Sequence, residues 1–205
     1  MAGPRVAEPD PFERVRRALA RRAPPSSDFE LNPEVKLPAG RVLRPAAVLV
    51  ALQPGTDGPE VILTRRSSRL RHHAGQIAFP GGKRDPEDPD LAATALREAR
   101  EEVGLDPATV ELLGTLTEHE TVTGFTITPY LARLDAPLLA RPEPGEVDEV
   151  FAVPLSHLEN PVRYRIERRR WLGQWRNYYV VPWGPYYIWG ATARILRGLA
   201  IRMGP

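Results

Sequence analysis

With 205 residues, 42% hydrophobic and 26% charged, the chain is long enough for one domain with a buried core and has ordinary globular composition. It holds no cysteine, which excludes a disulfide framework and any thiolate metal site and leaves carboxylates and imidazoles as metal ligands. A formal charge of +2 gives no argument for nucleic acid, and no apolar run approaches the roughly 18 residues of a membrane span.

The N-terminal MAGPRVAEPDPFERVRRALARR mixes arginines with acids and lacks an apolar centre, so it does not read as a signal peptide. A soluble cytoplasmic protein is expected, with a small molecule as partner and neither a nucleic acid nor a membrane. Residues 1–11 are proline-rich and read as loose. Phe12 to Arg22 reads as a short amphipathic helix, with Phe12, Val15, Ala18 and Leu19 on one stripe and arginines opposite. Residues 23–44 read as a connector of little periodicity, so residues 1–44 are expected to pack as helix and connector on a single domain over 45–205.

PAAVLVAL (45–52) reads as a buried strand, and EVILTRR (60–66) as its hairpin partner across a Gly/Pro/Asp loop. Asp90 to Val103 has helical composition, with Gly104 placed to end the helix. Strand-like stretches follow near 109–117, 125–134, 147–153, 162–171 and 176–183. A last helix is expected over Tyr187 to Met203, with Ile188, Ala191, Ile195, Leu199 and Ile201 available for packing. Strands on both sides of one central helix, with helices at the ends, point to a layered α/β or α+β domain.

The helix over 90–103 carries the most informative chemistry. Glu98, Glu101 and Glu102 share one face, because positions i, i+3 and i+4 are neighbours on a helix. Like charges at that spacing destabilise, and so does negative charge near a helix C-terminus. A hard divalent cation, Mg²⁺ or Mn²⁺, reverses both effects because it prefers oxygen ligands. The alternative is a solvated face on which Arg97 and Glu101 form an ordinary i,i+4 pair. The preceding Phe79-Pro80-Gly81-Gly82 favours the metal reading, because a glycine turn lets backbone carbonyls approach a ligand closely.

Gly82 followed by Arg97-Glu98-Ala99-Arg100-Glu101-Glu102-Val103-Gly104-Leu105 resembles the Nudix box, G-x5-E-x7-R-E-U-x-E-E-x-G-U. The spacing from Gly82 to Arg97 is one residue longer than that pattern, and Asp88 stands where a glutamate is usual. Ile62-Leu63-Thr64, Arg66-Ser67, Arg71, Gly75 and Phe79-Pro80-Gly81-Gly82 resemble LLTxR[SA]x3Rx3Gx3FPGG of the coenzyme A pyrophosphatase branch, with Ile62 in place of the first leucine. That branch also tends to carry the longer box.

The resemblance implies an α/β/α sandwich with a mixed central sheet, holding the acidic helix. It implies a hydrolase that uses a divalent metal to cleave the diphosphate of coenzyme A into 3′,5′-ADP and 4′-phosphopantetheine. It assigns Glu98, Glu101, Glu102 and the Gly82 carbonyl to the metal, and gives Arg97 an orienting role. Proton removal falls to a box glutamate such as Glu101 or to Glu146, which is otherwise a solvent-facing turn residue. Substrate contacts fall to Arg66, Arg71, Gly75, Phe79 and Gly81. His72 and His73 read as polar turn residues, and Thr123-Gly124-Phe125 and Ile188–Ala193 resemble further segments of the branch, the latter a closing helix.

A catalytically dead scaffold of the same family, used for binding, is a further reading that the intact Glu98, Glu101 and Glu102 set argues against, and two rival readings stand beside it. One keeps the chemistry but changes the substrate to ADP-ribose, NADH or a similar nucleoside diphosphate derivative. The other is nucleic-acid binding through RYRIERRRWLGQWR (163–176), where arginines interleave with aromatics. Against it stands an ordinary hairpin with arginines outward and Tyr164, Ile166 and Trp171 partly buried.

Overall fold

The computed structural model describes residues 11–37, 40–171 and 173–204. The proline-rich residues 1–10 lie outside these. The chain opens with α1 (Pro11–Ala20), followed by β1 (Ser26–Ser27), β2 (Arg44–Gly55), β3 (Gly58–Arg66), β4 (Ile77–Ala78) and β5 (Gly81–Lys83). Then come α2 (Leu91–Val103), β6 (Val110–Thr115), β7 (His119–Glu120), β8 (Phe125–Leu134), β9 (Val147–Pro154) and α3 (Leu155–Leu158). It closes with β10 (Arg165–Trp171), β11 (Gln174–Trp183), β12 (Tyr186–Trp189) and α4 (Gly190–Met203).

β2 organises the molecule. Its apolar residues are buried on both faces of the pleat, as expected of a strand with layers above and below. Ala47, Leu49 and Ala51 face a cluster with Ala95, Ala99 and Val103 of α2. Val50 and Leu52 face the other cluster, which joins Val15 and Ala18 of α1 to Leu196 and Leu199 of α4. Each of these valines and leucines, fully buried, contributes roughly 1.5–3 kcal/mol, and each alanine less. The result is an α/β/α sandwich around a mixed sheet.

Along one edge β2 runs parallel to β8, from Arg44 opposite Phe125 to Leu52 opposite Arg133. Its other edge is shared. β3 takes the far half through the expected hairpin, and β5 takes Ala46 to Val48 antiparallel. That shared edge sets the glycines of β5 beside the organising strand. β9 pairs with β3, and β6 and β7 pair with β8. β10, β11 and β12 form a separate antiparallel sheet.

Two expectations are corrected. The C-terminal helix begins at Gly190, not Tyr187, because Tyr186 to Trp189 pair antiparallel with Val180 to Trp183 and Trp189 is still extended. Ile188 is therefore a buried strand residue, while Ile201 is 51% exposed rather than packed. The connector over 23–44 is also more ordered than its weak periodicity suggests. β1 pairs parallel with β7, locked by the buried His119, whose Nδ1 meets Ser26 Oγ at 2.9 Å and whose Nε2 meets Asp28 Oδ1 at 3.1 Å. No helix among the described residues is long and apolar enough to cross a membrane.

Candidate active site

α2 begins where Asp90 accepts a hydrogen bond from the Ala93 N–H at 2.8 Å, and it ends at Gly104. The small residues Ala95 and Ala99 are 0% exposed, so the helix lies close on the sheet. That approach draws Glu102 down with it, to 3% exposure. One carboxylate oxygen accepts from the Gly81 N–H at 3.0 Å, and the other lies 3.5 Å from Arg66 Nη1. Burial pushes the Glu102 carboxyl up to about 7; the Gly81 N–H and Arg66 oppose this, and the charges of Glu98 and Glu146 add to it.

Glu98 lies one turn earlier, against the backbone of Gly82. A Cβ at position 82 would fall 2.5 Å from the Glu98 carboxyl carbon, so any side chain there displaces that carboxylate. Burial raises the Glu98 carboxyl, Arg97 lowers it, and Glu101 and Glu146 raise it further. At Gly81 the constraint is the backbone itself: φ is +152°, and a Cβ would lie 2.4 Å from the Ala47 carbonyl oxygen.

Arg97 ties the acids together. Its Nε and Nη2 donate to the two oxygens of Asp88 at 2.9 and 3.0 Å. Its Nη1 donates to Glu98 and to Glu101, each at 3.0 Å. Asp88 is 6% exposed and also accepts from the Asp85 N–H and the Thr94 hydroxyl. The Arg97 guanidinium holds its carboxyl well below the usual range. The shorter acid in the unusual box position is thus the anchor of the arginine that orients Glu98 and Glu101.

The remaining predicted residues divide. Glu101 points outward, 56% exposed. Glu146 is exposed, yet its charge reaches both Glu98 and Glu102. Its loop is fixed at two points, where the Ser67 N–H donates to the Glu146 carbonyl at 2.8 Å and the Glu143 N–H donates to the Glu102 carbonyl at 3.0 Å. Arg66 faces a cavity, and its Nε is buried without a hydrogen-bond partner. Phe79 is 3% exposed and serves both core and cavity wall. Arg71 is exposed and outside the cavity lining, and Gly75 closes the loop by donating to the Arg66 carbonyl at 3.0 Å. His73 does more than turn the chain: it borders the cavity, 2.7 Å from Gln76.

That cavity has a volume of about 380 Å³ and lies between the two sheets. One wall carries Val48, Ile77, Gly81 and Gly82; the other carries Arg169, Arg176, Tyr178 and Trp189, with Asp28 and Asn32 of the connector. Asn32, Asp28 and Trp189 had no sequence signal of function. Arg169 and Arg176 belong to the stretch read either as a nucleic-acid surface or as a solvated hairpin. Within it Tyr164 is buried more fully than the expected partial burial, while Ile166 is 56% exposed; the Trp171 side chain lies outside the described residues.

The fit of a divalent cation rests on the donors. Among the described residues no three acids or histidines already converge as a metal cluster. Glu98 and Glu102 nevertheless are neighbouring carboxylates whose burial and surrounding acids disfavour their charge. The Gly82 backbone lies against the first of them. An all-oxygen set under that electrostatic stress suits a hard cation.

The α/β/α sandwich thus seats an acidic helix on a glycine strand, beside a cavity of small-molecule size. A family profile described as the NUDIX domain matches residues 42–174. The chain is 42% identical over 164 residues to a protein of Citrobacter koseri described as "Uncharacterized Nudix hydrolase NudL", covering 78% of this chain and 83% of that one. It is 41% identical over 168 residues to the protein of the same description from Escherichia coli, with the same coverages. Among solved structures, the Nudix hydrolase RenU of M. smegmatis is 28% identical at a TM-score of 0.48, over 56% of this chain and 72% of that one. A C. elegans Ap4A hydrolase binary complex is 23% identical at a TM-score of 0.47, over 56% and 82%. The chain belongs to the Nudix hydrolase family. Members act on small-molecule substrates and in general need divalent metal ions.

Proposed function

We propose that this Nudix hydrolase uses Mg²⁺ or Mn²⁺ to cleave coenzyme A, or one of its derivatives, into 3′,5′-ADP and 4′-phosphopantetheine. The observation that carries the reading is convergence on Glu102: Arg66 and Gly81, both from the segment over 62–82, meet the same carboxylate of the acidic helix. The stretch resembling a coenzyme A motif and the box are thus one site, not two neighbouring features.

In this reading Glu98, Glu102 and the Gly82 carbonyl hold the cation, with Glu101 as a further candidate. When bound, the cation neutralises charge on the diphosphate oxygens and acidifies the attacking water. Arg97, itself fixed by Asp88, holds the carboxylates of Glu98 and Glu101 in place. The buried, unpartnered Nε of Arg66 is available to a phosphate oxygen. Val48, Ile77 and Phe79 exclude bulk water from the cavity wall. Water attacks one phosphorus, the bridging P–O bond breaks, and the water's proton passes to Glu101 or Glu146 as the two products leave as phosphate monoesters.

The test is product chromatography after incubation with Mg²⁺ or Mn²⁺ and a panel of coenzyme A, ADP-ribose and NADH. Release of 3′,5′-ADP and 4′-phosphopantetheine is expected. Rapid cleavage of ADP-ribose with coenzyme A left intact would overturn the substrate.

A further inference from the structure

The reaction as described leaves one wall of the cavity without a task. Arg169 and Arg176 are direct partners across the β10–β11 ladder. Like charges opposed in this way destabilise a sheet. By strand alternation Arg169, Arg176 and Tyr178 share the face that lines the cavity, joined by Trp189 opposite Val180. Arg168, on the opposite face, lies over the exposed Trp175 at 5.0 Å and outside the cavity lining.

Neither cavity arginine has a carboxylate partner among the described residues. Arg169 lies over the Trp189 ring at 4.9 Å, and Arg176 over Phe29 at 5.8 Å. The Nε of Arg176 is buried and donates to nothing. The acids nearby are already engaged: Asp28 with His119 and the Val122 N–H, Glu120 with Arg41, and Glu167 with the Tyr187 hydroxyl. Two guanidinium groups, each over an aromatic ring and without a carboxylate partner, therefore face a cavity whose opposite wall carries Arg66, Gly81 and Gly82, the residues that meet Glu102 and Glu98. A stacked guanidinium keeps its donor fork presented at little entropic cost.

We propose that Arg169 and Arg176 form an anion subsite for a phosphate monoester of the substrate, separate from the diphosphate at the acidic helix. Resting on the coenzyme A reading above, that group is the 3′-phosphate. A phosphate monoester carries a charge of about −1.5 to −2 at neutral pH, which matches two guanidinium groups. The subsite makes the extra phosphate a specificity element, which a nucleoside diphosphate derivative without it does not satisfy.

The experiment compares coenzyme A with 3′-dephospho-coenzyme A as substrates of the wild type, R169Q, R176Q, the double variant and R176K. For coenzyme A the double variant should raise KM roughly 10- to 100-fold, the scale of lost charge-assisted hydrogen bonds. kcat should stay within about threefold, since the lost contact is equal in ground and transition states. KM for the dephospho compound should move far less, and R176K should retain part of the preference. Calorimetric binding of 3′,5′-ADP against 5′-AMP should show the same preference in the wild type and its loss in the double variant. Equal KM values for the two substrates in the wild type would overturn the subsite alone. An equal rise for both in the double variant would do the same. Cleavage of neither compound would overturn the substrate reading and the subsite with it. Salt-sensitive RNA binding lost in the double variant would reassign the arginines to nucleic acid.

Discussion

Glu102 is a carboxylate that the fold buries before any cation arrives. Its folded pKa is raised from an ordinary 4.5 to about 7, so between those values the folded state binds more protons than the unfolded one. In metal-free buffer its favourable contribution is complete below pH 4.5 and is lost as pH rises through 7, on the order of 2–3 kcal/mol in all. E102Q should abolish this dependence. Its Tm relative to wild type should therefore climb across that window when both are measured with chelator. Turnover with metal should fall by at least about 100-fold. A Tm difference that stays constant with pH would contradict the burial argument. Asp88 has the opposite sign, since Arg97 lowers its pKa and its contribution is present above its usual 3.8 and lost on acidification. D88N should cost roughly 2–4 kcal/mol by urea denaturation, somewhat below the loss for a fully buried pair because Arg97 is 26% exposed. It should also slow turnover, as Arg97 no longer holds Glu98 and Glu101. Full activity in D88N would show that Arg97 needs no anchor.

At the scale of elements, β5 is three residues long, and its two glycines make different demands. G81A places a methyl against the Ala47 carbonyl, so it should destabilise the sheet by about 1–3 kcal/mol. G82A meets only the end of the Glu98 side chain, so it should leave Tm nearly unchanged while activity falls. Thermal melts and turnover on both variants check the contrast; equal Tm losses would refute it. The acidic helix was legible in the sequence from its composition and the glycine at 104, and it runs over Leu91–Val103, with Asp90 capping its start rather than belonging to it. β5 was not, because Gly-Gly-Lys has no strand propensity and becomes a strand only through pairing with β2. β12 was misread for a similar reason: Tyr186 to Trp189 run into a helix without a break in hydrophobicity, and the boundary is set by long-range pairing with β11. Candidate site residues within one segment were legible as a group. The arginine wall was not, since nothing local says that positions 169 and 176 face positions 81 and 82.

For the whole molecule, the cavity exists only because two sheets and the N-terminal connector are held at a fixed separation. Asn32 is the clasp. It is 1% exposed, its Oδ1 accepts from the Asn177 N–H at 2.8 Å, and its Nδ2 donates to the carbonyls of Asn177 and Asp28 at 3.0 and 3.1 Å. These bonds run from the connector to β11, next to Arg176, while β1 is bound to the larger sheet through His119. N32A removes them and leaves the Asn177 N–H without its partner, which should cost about 2–4 kcal/mol. For a chain of this size that corresponds to roughly 4–16 °C in Tm. Neither Asn32 nor Asn177 approaches the acidic helix through any hydrogen bond described, so the catalytic step itself is spared. With the connector and β11 loosened, the arginine wall is no longer held against the bound substrate, and KM should rise severalfold with kcat close to wild type. Steady-state kinetics at a temperature well below the lowered Tm separates this from unfolding. A fall in kcat at constant KM would mean that the connector supports the acidic helix and not the far wall of the cavity.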